Sequence, residues 1–217
     1  MSGTPPGSQP NLRVYDRVGP LYDAIIGPVS RRARERAVAS LDLRPEGRLL
    51  LVGVGSGLDL PYLPRGVRGL GVDLSDGMLR RAHSRKAEIG MPDFELRNMD
   101  AQNLPLPDES FDAVYLPLIV TVADDGPRVL AEASRVARAG ARLVVVDKFW
   151  PEGRPRPAPV RLVSRAIGSV ATHVDRRFSE IHAGAPRLEI VGDESLALGG
   201  FFRLVTLRKP AKGASPP

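Results

Sequence analysis

The sequence predicts an α/β protein: a doubly wound, seven-stranded, mostly parallel sheet with an antiparallel last strand and helices on both faces. Three observations carry this expectation. Short apolar runs alternate with longer segments of helical period, the pattern of parallel strands whose crossover helices cover the sheet. The first apolar run leads directly into Gly53, Gly55 and Gly57, a turn that lets a ligand approach the backbone and aims amide N–H groups at it. The last two apolar runs are joined by too short a connection for another crossover helix, so the final strand reverses direction.

In chain order, residues 1–10 and 210–217 are rich in Pro, Gly and Ser and read as tails. A single domain is expected over 11–209, with an N-terminal helical cap over 11–47. Strands are expected at 48–52, 69–73, 94–99, 111–116 and 141–147. Helices are expected at 76–86, with Met78, Leu79 and Ala82 on one face, and at 127–138, with Val129, Leu130, Ala133 and Val136 on one face. After Trp150 the rhythm changes. A proline-rich stretch precedes a helical pattern over about 160–182 that stops at Gly184 and Pro186. Strands at 187–191 and 201–207 complete the sheet.

Composition narrows the function classes. With 42% hydrophobic and 26% charged residues the 217-residue chain can bury a core unaided. The absence of cysteine excludes disulfides, thiolate metal sites and cysteine nucleophiles. The net charge of +6 is carried mainly by arginine, without the lysine-rich clusters and interleaved aromatics that suit nucleic acid. No basic, apolar leader opens the chain and no uncharged apolar run approaches the roughly 18 residues of a spanning helix, so a cytoplasmic protein is expected.

The glycine turn discriminates among nucleotides. Twenty residues after Gly53 the second strand ends at Asp73, where a carboxylate can accept two hydrogen bonds from a ribose diol. Dinucleotide binding wants a third glycine or alanine one residue later, where this chain has Leu58. The spacing therefore favours a nucleoside without pyrophosphate over NAD or FAD.

These residues resemble the class I S-adenosylmethionine-dependent methyltransferases, with their Rossmann-like fold. The likeness rests on residues 50–57, on Gly71-Val72-Asp73-Leu74-Ser75 with Met78-Leu79, on Met99-Asp100-Ala101 followed by Leu104-Pro105 and Phe111-Asp112, and on residues 129–146. Tyr15-Asp16-Arg17, Tyr22-Asp23 and Gly27-Pro28, with the loop's Gly-Leu-Asp-Leu-Pro, are most similar to the bacterial phosphatidylethanolamine N-methyltransferases and ubiquinone/menaquinone C-methyltransferases. The resemblance implies S-adenosylmethionine as cofactor and assigns roles: Gly53, Gly55 and Gly57 around the methionine, Asp73 on the ribose, Asp100 with Ala101 at the adenine amine, and Tyr22 over the methionine end. Leu74 and Met78 suit the adenine faces. One position departs from the family, Leu51, where a carboxylate is usual.

Methyl transfer is an in-line displacement that needs alignment and exclusion of water more than a dedicated catalytic group. A base helps when the acceptor must lose a proton. Tyr115, Pro117 and Thr121 are expected after the fourth strand, and Asp147, Lys148, Phe149 and Trp150 after the fifth. Asp147 and Tyr115 are the candidate catalytic residues, Asp147 as a proton acceptor or substrate anchor, although it equally suits a strand-end carboxylate paired with Lys148. His83, His173 and His182 are scattered without metal-ligand spacing, so no metal is expected. The 151–186 segment reads as a helical insertion on the substrate side. Its Arg161, Arg165, Arg176 and Arg177 suit either weak peripheral contact with anionic membrane or a solvated basic face. The expected function is methyl transfer to a small or lipid-like acceptor, a phospholipid amine or quinone-type carbon. The alternative is a non-catalytic S-adenosylmethionine-binding or fold-only protein, which Leu51 would favour.

Overall fold

The computed structural model describes residues 31–155, 175–197 and 200–211. In chain order these form α1 (Arg31–Ser40), β1 (Arg48–Val52), a 3-10 turn (Leu60–Tyr62), β2 (Arg68–Asp73), α2 (Asp76–Ile89), β3 (Phe94–Asn98) and β4 (Phe111–Pro117). Then follow α3 (Gly126–Val136), β5 (Ala137–Lys148), α4 (Phe178–His182), β6 (Glu189–Ala197) and β7 (Phe202–Arg208). The expected N-terminal tail and the cap before Arg31 lie outside the described residues, as do 156–174, 198–199 and 212–217.

The strands form one seven-stranded sheet in the order β3-β2-β1-β4-β5-β7-β6. The first five are parallel, and β7 runs antiparallel to both β5 and β6. The reversal of strand order between β1 and β4 opens a crevice at the carboxyl edge, where such sheets bind ligands.

Both faces are covered, because β1 and β4 are apolar on both sides. On one face Leu49, Leu51, Tyr115 and Val144 pack with Ala37 of α1, with Leu41 just after that helix, and with Leu79 of α2. On the other Leu50, Val52, Val114 and Leu143 pack with Val129, Leu130, Ala133 and Val136 of α3 and with Phe178 and Ile181 of α4. The spacing of those α3 residues buries one stripe of the helix.

Among the boundaries that differ from expectation, three move furthest. Strand β5 starts at Ala137, four residues early, and passes through Gly140 at φ +80°. Strand β6 continues to Ala197 despite its polar 192–195 stretch, because it is an edge strand that needs apolar residues on no more than one face. The late helix is not continuous to His182: residues 175–177 are non-helical, Arg177 is extended, and α4 begins only at Phe178.

A buried carboxylate ties α3 to the loop between β3 and β4. Glu132 of α3 is 5% exposed, accepts from Leu104 N at 3.0 Å and meets Arg135 at 2.8 Å. Hydrogen bonding from Arg135, reinforced by the Leu104 amide against the effect of burial, holds its pKa below the ordinary glutamate value of 4.5. The folded protein therefore binds that proton less readily than the unfolded chain. Its contribution is complete above pH 4.5 and is lost as pH falls through the lower folded value. Glu132→Gln should flatten the melting temperature's fall below about pH 5 while lowering its neutral plateau, as thermal unfolding across pH will read.

Candidate active site

The glycine turn follows β1 because its backbone conformation excludes side chains. Gly53, Gly55 and Gly57 lie at φ +75°, +54° and +80°, a region that costs L-residues strain. They divide by surroundings. A Cβ on Gly53 would sit 2.9 Å from Ile119 Cβ, and one on Gly57 would sit 2.9 Å from Leu60 Cδ1. A Cβ on Gly55 would meet nothing within 4 Å. The outer glycines thus satisfy protein packing, and the central one leaves backbone open to a ligand.

The turn is held from several sides. Gly53 N and Val54 N both donate to Val72 O of β2 at 2.8 and 2.9 Å. The Asp73 carboxylate accepts from Gly55 N at 2.8 Å through Oδ2 and from Ser75 N at 2.9 Å through Oδ1. Arg85 of α2 donates to the Ser56 carbonyl. Ser75 caps α2 by accepting from Met78 N at 3.1 Å. Leu74 is left 46% exposed beside it, unusual for a leucine in a packed turn, while Met78 is buried. Met99 N donates to Asp73 O at 3.1 Å, which brings the end of β3 to the end of β2. Just beyond it, Asp100 Oδ1 accepts from Gln102 N at 2.8 Å and Nε2 at 3.2 Å. The structure therefore brings Gly53, Gly55, Gly57, Asp73, Leu74, Met78, Asp100 and Ala101 to one stretch of the sheet's carboxyl edge. Tyr22 lies outside the described residues.

This edge suits an adenosyl group: an open glycine backbone, a partly exposed carboxylate at Asp73, an exposed apolar wall at Leu74, and a second carboxylate at Asp100.

Across the crevice, the segment after β4 is clamped. Leu118 takes the left-handed region at φ 54° and donates its N–H to Val146 O at 2.7 Å. Such strain in a non-glycine residue persists only where surrounding contacts impose it. Asp147, fully buried inside β5 rather than beyond it, accepts from Thr121 N at 3.0 Å, Thr121 Oγ1 at 2.6 Å and Lys148 N at 2.8 Å. Lys148 Nζ stands 3.7 Å away. Tyr115 likewise lies inside β4 rather than after it. Its ring is fully buried and its hydroxyl donates to Asp59 Oδ1 at 2.9 Å. Burial and the neighbouring Asp59 charge push the Tyr115 pKa well above 10. Its expected presentation at the strand end is corrected: the hydroxyl stays protonated and points into the layer beneath the turn.

Arg176 and Arg177 also depart from the expected basic face: Arg176 donates to the carbonyls of Val120, Ala123 and Asp124 at 3.1, 2.6 and 2.6 Å, and half-buried Arg177 donates from Nη2 to the Arg154 carbonyl at 2.6 Å. Burial lowers the Arg176 pKa against the pull of Asp124 and Asp125. Arg161, Arg165 and His173 are outside the described residues. His83 is exposed, and His182 stacks on Phe178 with Nε2 2.8 Å from Leu188 O. Among the described residues no group of His, Asp and Glu is arranged to hold a metal ion.

Sequence reading places Arg176 on a basic face and misses its hold on the segment after β4, and it misses the Arg34–Asp59 pair. Nothing local marks Arg176, whose partners are more than 50 residues away. Asp59 did carry a signal, a carboxylate wedged between Leu58 and Leu60 directly after the glycine turn.

A methyltransferase-domain family matches residues 50–145, the span from β1 through the core of β5. A phosphatidylethanolamine N-methyltransferase of Cereibacter sphaeroides is 37% identical over 190 residues, covering 87% of this chain and 93% of the relative. The chain belongs to the class I S-adenosylmethionine-dependent methyltransferases. A demethylmenaquinone methyltransferase of Renibacterium salmoninarum is 32% identical over 164 residues, with 73% of this chain and 67% of that one covered. In fold, the chain superimposes on the cyclase SpnF with a TM-score of 0.79 at 19% identity, over 97% of this chain and 100% of that one. This protein is thus an S-adenosylmethionine-dependent methyltransferase, and the expectation of a catalytic protein holds over that of a non-catalytic binder. Among the described residues no helix is long and apolar enough to cross a membrane.

Proposed function

We propose that this methyltransferase acts on the amine of a phospholipid headgroup. The observation that carries the reading is the phosphatidylethanolamine N-methyltransferase relative, whose likeness runs over nearly the whole of both chains rather than over the cofactor half alone. Quinone-type carbon is the second reading, favoured by the demethylmenaquinone methyltransferase relative.

When bound, S-adenosylmethionine supplies an activated methyl on its sulfonium. The chain's part is to bind and align. Asp73 holds the ribose, its oxygens kept in place by Gly55 N and Ser75 N. The open backbone at Gly55 receives the methionine part between Gly53 and Gly57, and Leu74 and Met78 flank the adenine, with Asp100 and Ala101 at its amine edge. Tyr22 closes the methionine end. Asp147 acts through Thr121 as a positioning residue, holding the segment after β4 against the acceptor side, while Arg176 holds the same segment from the far side. Both reactants then meet in a crevice shaped before they arrive, which is where most of the barrier for such a displacement is removed.

Incubating the protein with S-adenosylmethionine labelled with tritium in the methyl group and with phosphatidylethanolamine vesicles that also contain demethylmenaquinone tests the acceptor. Label in the extracted lipid headgroup is expected. Label transferred instead to a demethylated menaquinone, with none in the lipid, favours the second reading.

A lipid acceptor also implies contact with the bilayer surface. Arg161→Gln with Arg165→Gln should reduce sedimentation with anionic vesicles, each charge being worth about 1 kcal/mol near such a surface. Added salt should have the same effect. Arg176 belongs to a different set, since its donors are taken by backbone carbonyls. A parent protein that fails to sediment at low salt would favour a diffusible acceptor.

A further inference from the structure

Beneath the glycine turn lies a buried polar cluster outside the residues assigned to the cofactor and the acceptor. Arg34 of α1, 6% exposed, donates from Nη1 to Asp59 Oδ2, and Tyr115 of β4 donates to Asp59 Oδ1 at 2.9 Å. Asp59 itself is 4% exposed and stands two residues after Gly57, at the start of the 3-10 turn. Both carboxylate oxygens are therefore engaged, one from the first described helix and one from a central strand. The surroundings are Leu49, Leu51, Leu60 and Val144, all buried in the same layer.

A buried ion pair is poor evidence for stability. Removing two charges from water costs about as much as their attraction returns, and apolar residues of similar volume often do as well or better. What such a cluster does supply is direction, since a planar guanidinium and a carboxylate fix the relative placement of the elements that carry them. Here those elements are α1, the exit of the glycine turn and β4. The turn's middle is already held by Asp73 and Arg85, while its exit, where Gly57 packs on Leu60, is joined to the N-terminal helix by this pair.

We propose that Arg34, Asp59 and Tyr115 are positioning residues for cofactor binding, locking the exit of the glycine turn to the N-terminal helix so that the turn is shaped for the methionine end before ligand arrives. The proposal rests on the cofactor placement given above. Because apolar residues of similar volume can match the cluster's stability without fixing direction, affinity and stability should separate in an apolar replacement.

The test compares the parent with the apolar triple variant Arg34→Met/Asp59→Leu/Tyr115→Phe and with Arg34→Lys, which keeps the charge but loses the fork. Thermal unfolding and calorimetric titration with S-adenosylhomocysteine are measured on each. The triple variant should melt within about 5 °C of the parent, the shift of roughly 1 to 2 kcal/mol in a chain of this size. It should bind at least tenfold more weakly, and Arg34→Lys should bind about three- to tenfold more weakly. If the triple variant does not fold, Arg34→Lys decides by the same criterion. A parent that binds, with a folded variant binding within twofold of it, overturns this inference and leaves the cofactor placement standing. A parent that binds no S-adenosylhomocysteine overturns the placement and the inference together.

Discussion

Phe111→Ala should cost about 3 to 5 kcal/mol, the range for emptying a fully buried aromatic site. Phe111 opens β4 with no exposed surface, in the cluster that holds Val129, Leu130, Ala133 and Val136 of α3. The guanidinium of Arg48 lies 4.8 Å from its ring centroid, and Arg48 N donates to the neighbouring Asp112 at 2.8 Å. Truncation therefore removes ring packing and a cation–π contact at the joint of β1 and β4 together. At about 2 to 4 °C per kcal/mol, calorimetric melting should fall by roughly 6 to 20 °C. Phe111→Leu, which refills most of the volume, should recover more than half of that. A melting temperature within about 2 °C of the parent for Phe111→Ala would mean that β4 does not begin in the core.

Asp73→Ala should weaken S-adenosylhomocysteine binding by about 1.5 to 3 kcal/mol, a factor of roughly 10 to 150, which is the range for losing charge-assisted hydrogen bonds. Asp73 does two things that alanine cannot: it fixes Gly55 N and Ser75 N by accepting from both, and in the proposed placement it presents a carboxylate to the ribose. Asp73→Asn separates the two: it keeps an oxygen for one amide but loses the charge, so an intermediate loss is expected. The fold should survive either change, because Asp73 is only partly buried and lies at a strand end. Equal affinity for parent and Asp73→Ala in titration would remove the ribose from this edge of the sheet.

The sheet was legible in the sequence because its strands are apolar on both faces and its helices carry one apolar stripe. The runs at 49–52 and 143–146 have no other stable destination than a covered parallel sheet. Asp73 and the glycines were legible for a related reason, since a turn of three left-handed residues after a buried strand leaves its mark within nine residues of chain. What stayed hidden is long-range. Arg34 meets Asp59 across 25 residues and Asp59 meets Tyr115 across 56, and no local pattern distinguishes Arg34 from the other arginines of α1. Tyr115 and Asp147 were read as strand-end groups because their residue types suit a site, while their burial depends on where each strand actually stops. Arg177 shows the same limit: the apolar spacing runs on through it, yet its extended backbone starts a new helix at Phe178. Hydrophobic period alone does not register that break.

The central claim is that the open glycine turn and Asp73 form a nucleoside site for S-adenosylmethionine. Calorimetric titration of the parent with S-adenosylhomocysteine and, separately, with NAD tests it most directly. The account predicts saturable one-to-one binding of S-adenosylhomocysteine and no binding of NAD, whose pyrophosphate would need a small residue where Leu58 stands. Saturable binding of NAD with none of S-adenosylhomocysteine would contradict it.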